Sequence, residues 1–136
     1  FRNLAGEQVG KLLCFACFLV FPTAMQQPEV TGGGVFCALT RLIYWHDEPN
    51  MLFPSIHCMD SWFCFRGAMR TEDLPRWYRV FTLVFALLVF ASTVLVKQHV
   101  VLDVVGGVAV IELGLLISDR LHAGRIYERL VPEGAR

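Results

Sequence analysis

The sequence predicts an all-α, multi-pass transmembrane helical bundle of four spans, at about residues 9–25, 52–69, 79–96 and 100–118. Three observations predict it. The composition is 55% hydrophobic and 18% charged, against about 45–50% and about 25% in soluble domains. Two stretches, residues 80–96 and 100–118, have the length and apolar character that a membrane-crossing helix needs. The basic residues also segregate. With the N-terminus on the cytoplasmic side, the inner segments hold Arg2, Lys11, Arg66, Arg70, Arg76 and Arg79, then Arg120, Arg125, Arg129 and Arg136. The outer segments hold only Arg41 and Lys97. That is the positive-inside pattern, and it separates the two faces only if the second stretch also crosses.

The elements follow in order. The first span, residues 12–25 extended back through Val9, carries Cys14-x-x-Cys17. This spacing occurs in redox and metal pairs. No second pair completes a zinc site, and membrane packing of two small apolar side chains is the expected role. The outer loop, residues 26–50, holds the turn signal Gly32-Gly33-Gly34. Residues 36–45 within it are apolar enough to lie on the membrane surface as a short helix. The second span contains His57 and Asp60 among Phe53, Ile56, Trp62, Phe63 and Phe65. The inner loop follows, where Thr71-Glu72-Asp73-Leu74-Pro75 is expected to cap the third span and Trp77 and Tyr78 to sit at the interface. A tiny outer turn with Lys97 and His99 leads into the fourth span, where Gly106-Gly107 permits close helix contact. The tail after Asp119 is charged and expected to be helical on the cytoplasmic side. The whole chain, 1–136, reads as one membrane-embedded module of zero formal net charge, with nothing that points to nucleic acid.

Ionisable residues inside membrane spans are costly and mark function. His57 opens the second span from outside, His99 lies in the outer turn, and Asp103 is one turn into the fourth span, so all three belong to one face. His99 and Asp103 are four apart and share a helix face. A carboxylate there fixes one imidazole nitrogen and leaves the other free to attack. His57 can protonate a leaving oxygen. Lys97 and the helix start near Pro54-Ser55 can hold an anion's oxygens. This set suits phosphate and fits zinc poorly, because the ligand set is incomplete and a lysine stands beside it. Asp60, one turn after His57, either acts on that histidine or pairs with a neighbouring helix. Glu112 lies about 13 Å deeper than Asp103 at 1.5 Å per residue, too far for the same site, and is read as a packing or interhelical hydrogen-bonding residue.

These residues resemble the motifs of the type-2 phosphatidic acid phosphatase family. Pro54-Ser55-Ile56-His57 is similar to its second motif, Pro-Ser-x-His. Ser92-Thr93, five residues, His99, three residues and Asp103 match the spacing of its third motif, with Thr93 where that motif has Arg. At the first motif, Val20 and Gln27 stand where Lys and Arg are found. The wider stretches YWHDEPNMLFPSIH and STVLVKQHVVLDVVGG resemble the branch that includes bacterial phosphatase-like membrane proteins and inositol phosphorylceramide synthases. The likeness runs from about residue 19 to 115.

The resemblance implies that His99 attacks phosphorus to form a phosphohistidine, that Asp103 orients it, and that His57 protonates the leaving group. Ser55, Ser92, Thr93, Gln27 and Lys97 would hold phosphate oxygens, and no metal or cofactor would be needed. It also implies a six-span fold of which this chain supplies the last four, and a bacterial cytoplasmic membrane location; the charge distribution with four spans places both termini in the cytoplasm. The expected partners are membrane lipids and a lipid phosphate or pyrophosphate substrate. Three readings stand at this point: a lipid-phosphate phosphohydrolase, a phosphotransferase that hands the same phosphoryl group to an alcohol, and a non-catalytic membrane protein that keeps the scaffold.

Overall fold

The computed structural model describes residues 2–46, 50 and 52–123. Their architecture is all-α: α1 (Arg2–Val20), α2 (Val35–His46), α3 (Ile56–Arg70), α4 (Arg76–Leu95) and α5 (Val101–Arg120), with one isolated bridge between Ala24 and Asn50. The expected cytoplasmic tail helix falls mostly beyond the described residues.

Three of these helices, α1, α4 and α5, are long and apolar enough to cross a membrane, not four. The exception is α3. Its 15 residues span about 22 Å, short of a hydrocarbon core of about 30 Å. The sequence reading starts this span near residue 52, but the chain is not yet helical there. The backbone N–H groups of Leu52 and Phe53 both donate to Thr23 Oγ1 at 3.0 Å. Ser55 then takes an extended conformation as N-cap, and helix begins only at Ile56. The first helix differs from expectation at both ends. It starts by Arg2 and stops at Val20, because Pro22 disfavours helix in the residue before it.

Short as it is, α3 runs alongside α5 in the same direction. Ser55 N–H donates to the Asp103 carbonyl at 3.1 Å, the Trp62 indole to Glu112 at 2.7 Å, and Arg70 to Asp119 at 3.0 Å. The pairs fall at the start, middle and end of both helices. Glu112 thus joins α3 to α5 as expected, and Arg66 adds an ion pair to it at 2.7 Å. Helices α1 and α4 run the opposite way. Arg70 of α3 also reaches Asn3 of α1, while Cys14 donates to the Pro54 carbonyl. Thr93 of α4 lies against Cys58 of α3. The lateral order is α1, α5, α3, α4.

The core sits where α1, α3 and α5 meet, and is built from Cys14, Phe18, Met59, Val110, Ile111 and Leu115. Cys14 therefore packs as a small apolar side chain. Backbones come close enough to require glycine at two places. A Cβ on Gly107 would stand 2.5 Å from the Ser55 carbonyl oxygen, and one on Gly114 2.6 Å from the Gly10 nitrogen. Helix α4 leaves Val80, Val84, Leu87, Leu88 and Leu95 exposed, a face suited to lipid rather than water.

The loop between α3 and α4 is capped differently from expectation. Pro75 is the N-cap of α4, without a side-chain hydrogen bond. The Thr71 hydroxyl instead donates backwards to the Gly67 carbonyl of α3 at 2.9 Å, and Arg79 closes the loop by donating to the Thr71 carbonyl. The short helix expected at residues 36–45 is present as α2. It has no buried residue and is tied to the bundle by the Tyr44 hydroxyl, which donates to the Val96 carbonyl at 2.6 Å.

Candidate active site

The parallel run of α3 and α5 brings the starts of both helices to one end of the bundle. The same antiparallel logic puts the last turn of α4 there. The turn from α4 to α5 is wound tightly: the Thr93 carbonyl accepts from both Gln98 N–H at 3.0 Å and His99 N–H at 3.1 Å. Lys97 absorbs the reversal with φ 56°, a conformation that L-residues adopt at some cost. This winding turns His99 inward.

His99 and Asp103 form the centre of this end. The His99 Nδ1 and Asp103 Oδ2 lie 3.3 Å apart, with His99 8% and Asp103 6% exposed. The same carboxylate oxygen accepts from the Val100 backbone N–H at 3.0 Å, which fixes its orientation from a second direction. A carboxylate on Nδ1 turns the other ring nitrogen, Nε2, to the opposite side of the ring from it. The His57 ring lies 6.2 Å from that of His99, edge to face. The three residues singled out from separate segments are therefore together.

Two cavities flank this centre. One, of about 790 Å³, is lined on its polar side by His57, Asp60 and Ser61 of α3, Ser92 and Thr93 of α4, Gln98 of the turn and His46 of α2. Leu42, Ile43, Phe85 and Val89 continue it as an apolar wall. The other, of about 470 Å³, is lined by Asp103, Val100 and Leu102 with Thr23 and Phe53. Among the described residues, no three His, Cys, Asp or Glu side chains gather as a metal-binding group.

The residues expected to hold phosphate are placed unevenly. Ser92 is exposed and faces the larger cavity. Thr93 borders the same cavity but is buried, and its hydroxyl donates to the Phe90 carbonyl at 3.0 Å. Ser55 is fully buried. Its Oγ accepts from Cys58 N–H at 3.4 Å as the cap of α3, so it shapes the helix start that carries His57. Lys97 is exposed and Gln27 half-buried, and neither lines the two cavities. The reading of motifs passed over Gln98 and His46. Gln98 had a signal, its place beside His99 in the turn. His46 had none, because only the folding of α2 over the cavity brings it there.

The family model described as the PAP2 superfamily matches residues 8–117. Neither the curated proteins nor the solved structures compared with it gave a match. The matched segment spans α1 to nearly the end of α5 and includes every residue of the His57, His99 and Asp103 cluster. The chain belongs to the PAP2 superfamily, the type-2 phosphatidic acid phosphatases, a family of phosphatase-type chemistry.

Proposed function

We propose that this protein is a membrane phosphohydrolase that removes phosphate from a lipid phosphate or pyrophosphate through a phosphohistidine. The observation that carries the reading is the pairing of His99 Nδ1 with the buried Asp103 carboxylate at 3.3 Å, with a second histidine 6.2 Å away ring to ring. In the first step His99 Nε2 attacks phosphorus. The bond to the leaving oxygen breaks, its electron pair stays on that oxygen, and His57 supplies the proton. In the second step neutral His57 takes a proton from water as that water attacks the phosphohistidine. Phosphate leaves and His57 is again protonated. Asp103 stabilises the charge that develops on the His99 ring. Ser92 and Gln98 border the space where phosphoryl oxygens would sit. The apolar wall of the larger cavity suits a hydrocarbon chain, which supports a lipid substrate.

Although shorter than a full span, α3 carries the chain from the Asp103 end of α5 to its Asp119 end, so Arg66, Arg70, Arg76 and Arg79 still gather opposite the site; this supports a site on the outer face with both termini cytoplasmic, and the resemblance supports a bacterial cytoplasmic membrane. One feature favours a second reading, phosphotransfer to an alcohol. In-line attack brings the acceptor in where the leaving group departed, and a cavity of about 790 Å³ admits more than water.

The test is purified protein offered a panel of lipid phosphates with chelator present, beside His99→Ala. The expected result is phosphate release by the wild type alone. Release that survives His99→Ala would sink the nucleophile, and inhibition by chelator would sink the metal-free mechanism. A new phosphodiester formed on adding an alcohol would favour transfer. Inactivity of the wild type toward the whole panel would favour a non-catalytic scaffold.

A further inference from the structure

We infer that His46 is a phosphate-binding residue: α2 places its imidazole on the wall of the larger cavity, where it donates to a phosphoryl oxygen of the substrate. The inference rests on the reaction proposed above and names the bound group as a phosphate monoester.

Three observations carry it. Leu42, Ile43 and His46 all line that cavity, and their spacing puts them on one face of α2. The face that supplies part of the apolar wall thus ends in a polar ring. Next, α2 is fastened at the site. The Tyr44 hydroxyl donates to the Val96 carbonyl at 2.6 Å, and Val96 stands just ahead of the turn that carries His99. The third observation is a shortage of other donors. Among the described residues, no Lys or Arg lines the cavity. Arg41 of α2 donates to the Val30 and Gly32 carbonyls at 2.9 and 2.7 Å, and Lys97 lines neither cavity.

The hydroxyls of the wall narrow the choice further. Ser61 donates to the Cys58 carbonyl at 3.1 Å, and Thr93 to that of Phe90 at 3.0 Å. A hydroxyl has one proton to give, so neither donates to a phosphate in this arrangement. Ser92, Gln98 and the two histidines are left as donors on this wall. The proposed reaction uses His57 at the leaving oxygen. Asp60 lies in the same wall one turn beyond His57, and its carboxylate opposes an anion that settles there. His46 reaches the cavity from the other side, on α2. It offers an N–H and, when protonated, a charge, and hydrogen bonds with an ionised partner are the strong ones.

The experiment uses the purified full chain in detergent micelles. His46→Ala should raise KM for phosphatidic acid about tenfold, the scale of one hydrogen bond to a charged group. Its kcat should hold, as for an interaction made equally in the ground and transition states. His46 is exposed, so its removal spares the fold. His46→Lys should restore KM. A KM unmoved in His46→Ala, or not recovered in His46→Lys, overturns the inference. The inhibition constant of inorganic phosphate should rise by the same factor as KM. A KM that rises alone would assign His46 to another part of the lipid and overturn it equally.

The second measurement needs no turnover. Inorganic phosphate should raise the thermal unfolding midpoint of the wild type and of His46→Lys, because a ligand that binds the native state stabilises it. In His46→Ala the same shift should take about tenfold more phosphate. Equal shifts in the three proteins, or none in the wild type, overturn the inference. A wild type silent toward phosphatidic acid, with a phosphate shift that depends on His46, would sink the proposed reaction and leave the phosphate site standing. Activity indifferent to His46→Ala would do the reverse.

Discussion

The backbone N–H of Ser55 donates to the carbonyl oxygen of Asp103 at 3.1 Å. This bond ties the residue before α3 to the first turn of α5. One register then sets the distance between His57, two residues beyond Ser55, and His99, four residues before Asp103. Gly107 lets the two helices close to that distance, since a side chain there would meet the Ser55 carbonyl.

Substituting Gly107 should therefore act on stability and on the site together. Gly107→Ala is expected to cost about 1–3 kcal/mol, the usual range for overpacking a close contact, and to lower activity by separating the histidines. Gly33→Ala, where nothing lies within 4 Å of the added Cβ, should leave both unchanged. Thermal unfolding in detergent and phosphate release measure the two effects.

Asp103→Asn keeps the shape of the carboxylate but removes its charge and allows the wrong His99 tautomer. It should lower kcat by about 10²–10⁴-fold and leave KM nearly unchanged. A large rise in KM with kcat preserved would place Asp103 in binding instead.

His57→Gln should discriminate by leaving group. A general acid matters most where the departing oxygen is a poor leaving group. Hydrolysis of an alkyl phosphate should fall much further than hydrolysis of p-nitrophenyl phosphate, whose phenolate departs without a proton. Equal losses on both substrates would remove His57 from that role.

Glu112 offers a contrast remote from the site. It accepts from Trp62 at 2.7 Å and pairs with Arg66. Glu112→Gln keeps an acceptor for the indole and loses a half-exposed ion pair, so the expected cost is under about 1 kcal/mol. Glu112→Leu strands the indole N–H, which costs about 1–3 kcal/mol. Unfolding midpoints should rank the two this way, with activity of the folded fraction retained in both.

Orientation is open to direct labelling. A cysteine at Lys97 should react with a membrane-impermeant maleimide in intact cells, and one at Glu72 only after lysis. The opposite result would put the site on the cytoplasmic face.

Much of this was legible in the chain. Apolar runs at residues 80–96 and 100–118 marked α4 and α5, because burying backbone in lipid demands long apolar helices and leaves a plain compositional trace. His99 and Asp103 were legible as a pair because helix geometry alone makes positions four apart neighbours. The length of α3 was not. Its start is decided by Thr23, which takes the N–H groups of Leu52 and Phe53 from 29 and 30 residues away, and no local pattern reports such a bond.

The sequence by itself determined the membrane class, the helical architecture, and the identity of the three residues that meet at one end, since each follows from periodicity, hydropathy or charge along the chain. Only the tertiary structure decided which polar side chains reach the cavity. It buried Ser55 as a cap, turned Lys97 outward and brought in Gln98 and His46. Those outcomes depend on the register of α3 against α5 and on the tight turn held by the Thr93 carbonyl. Both are long-range packing results, in which close contact between backbones, and not local preference, sets where a side chain points.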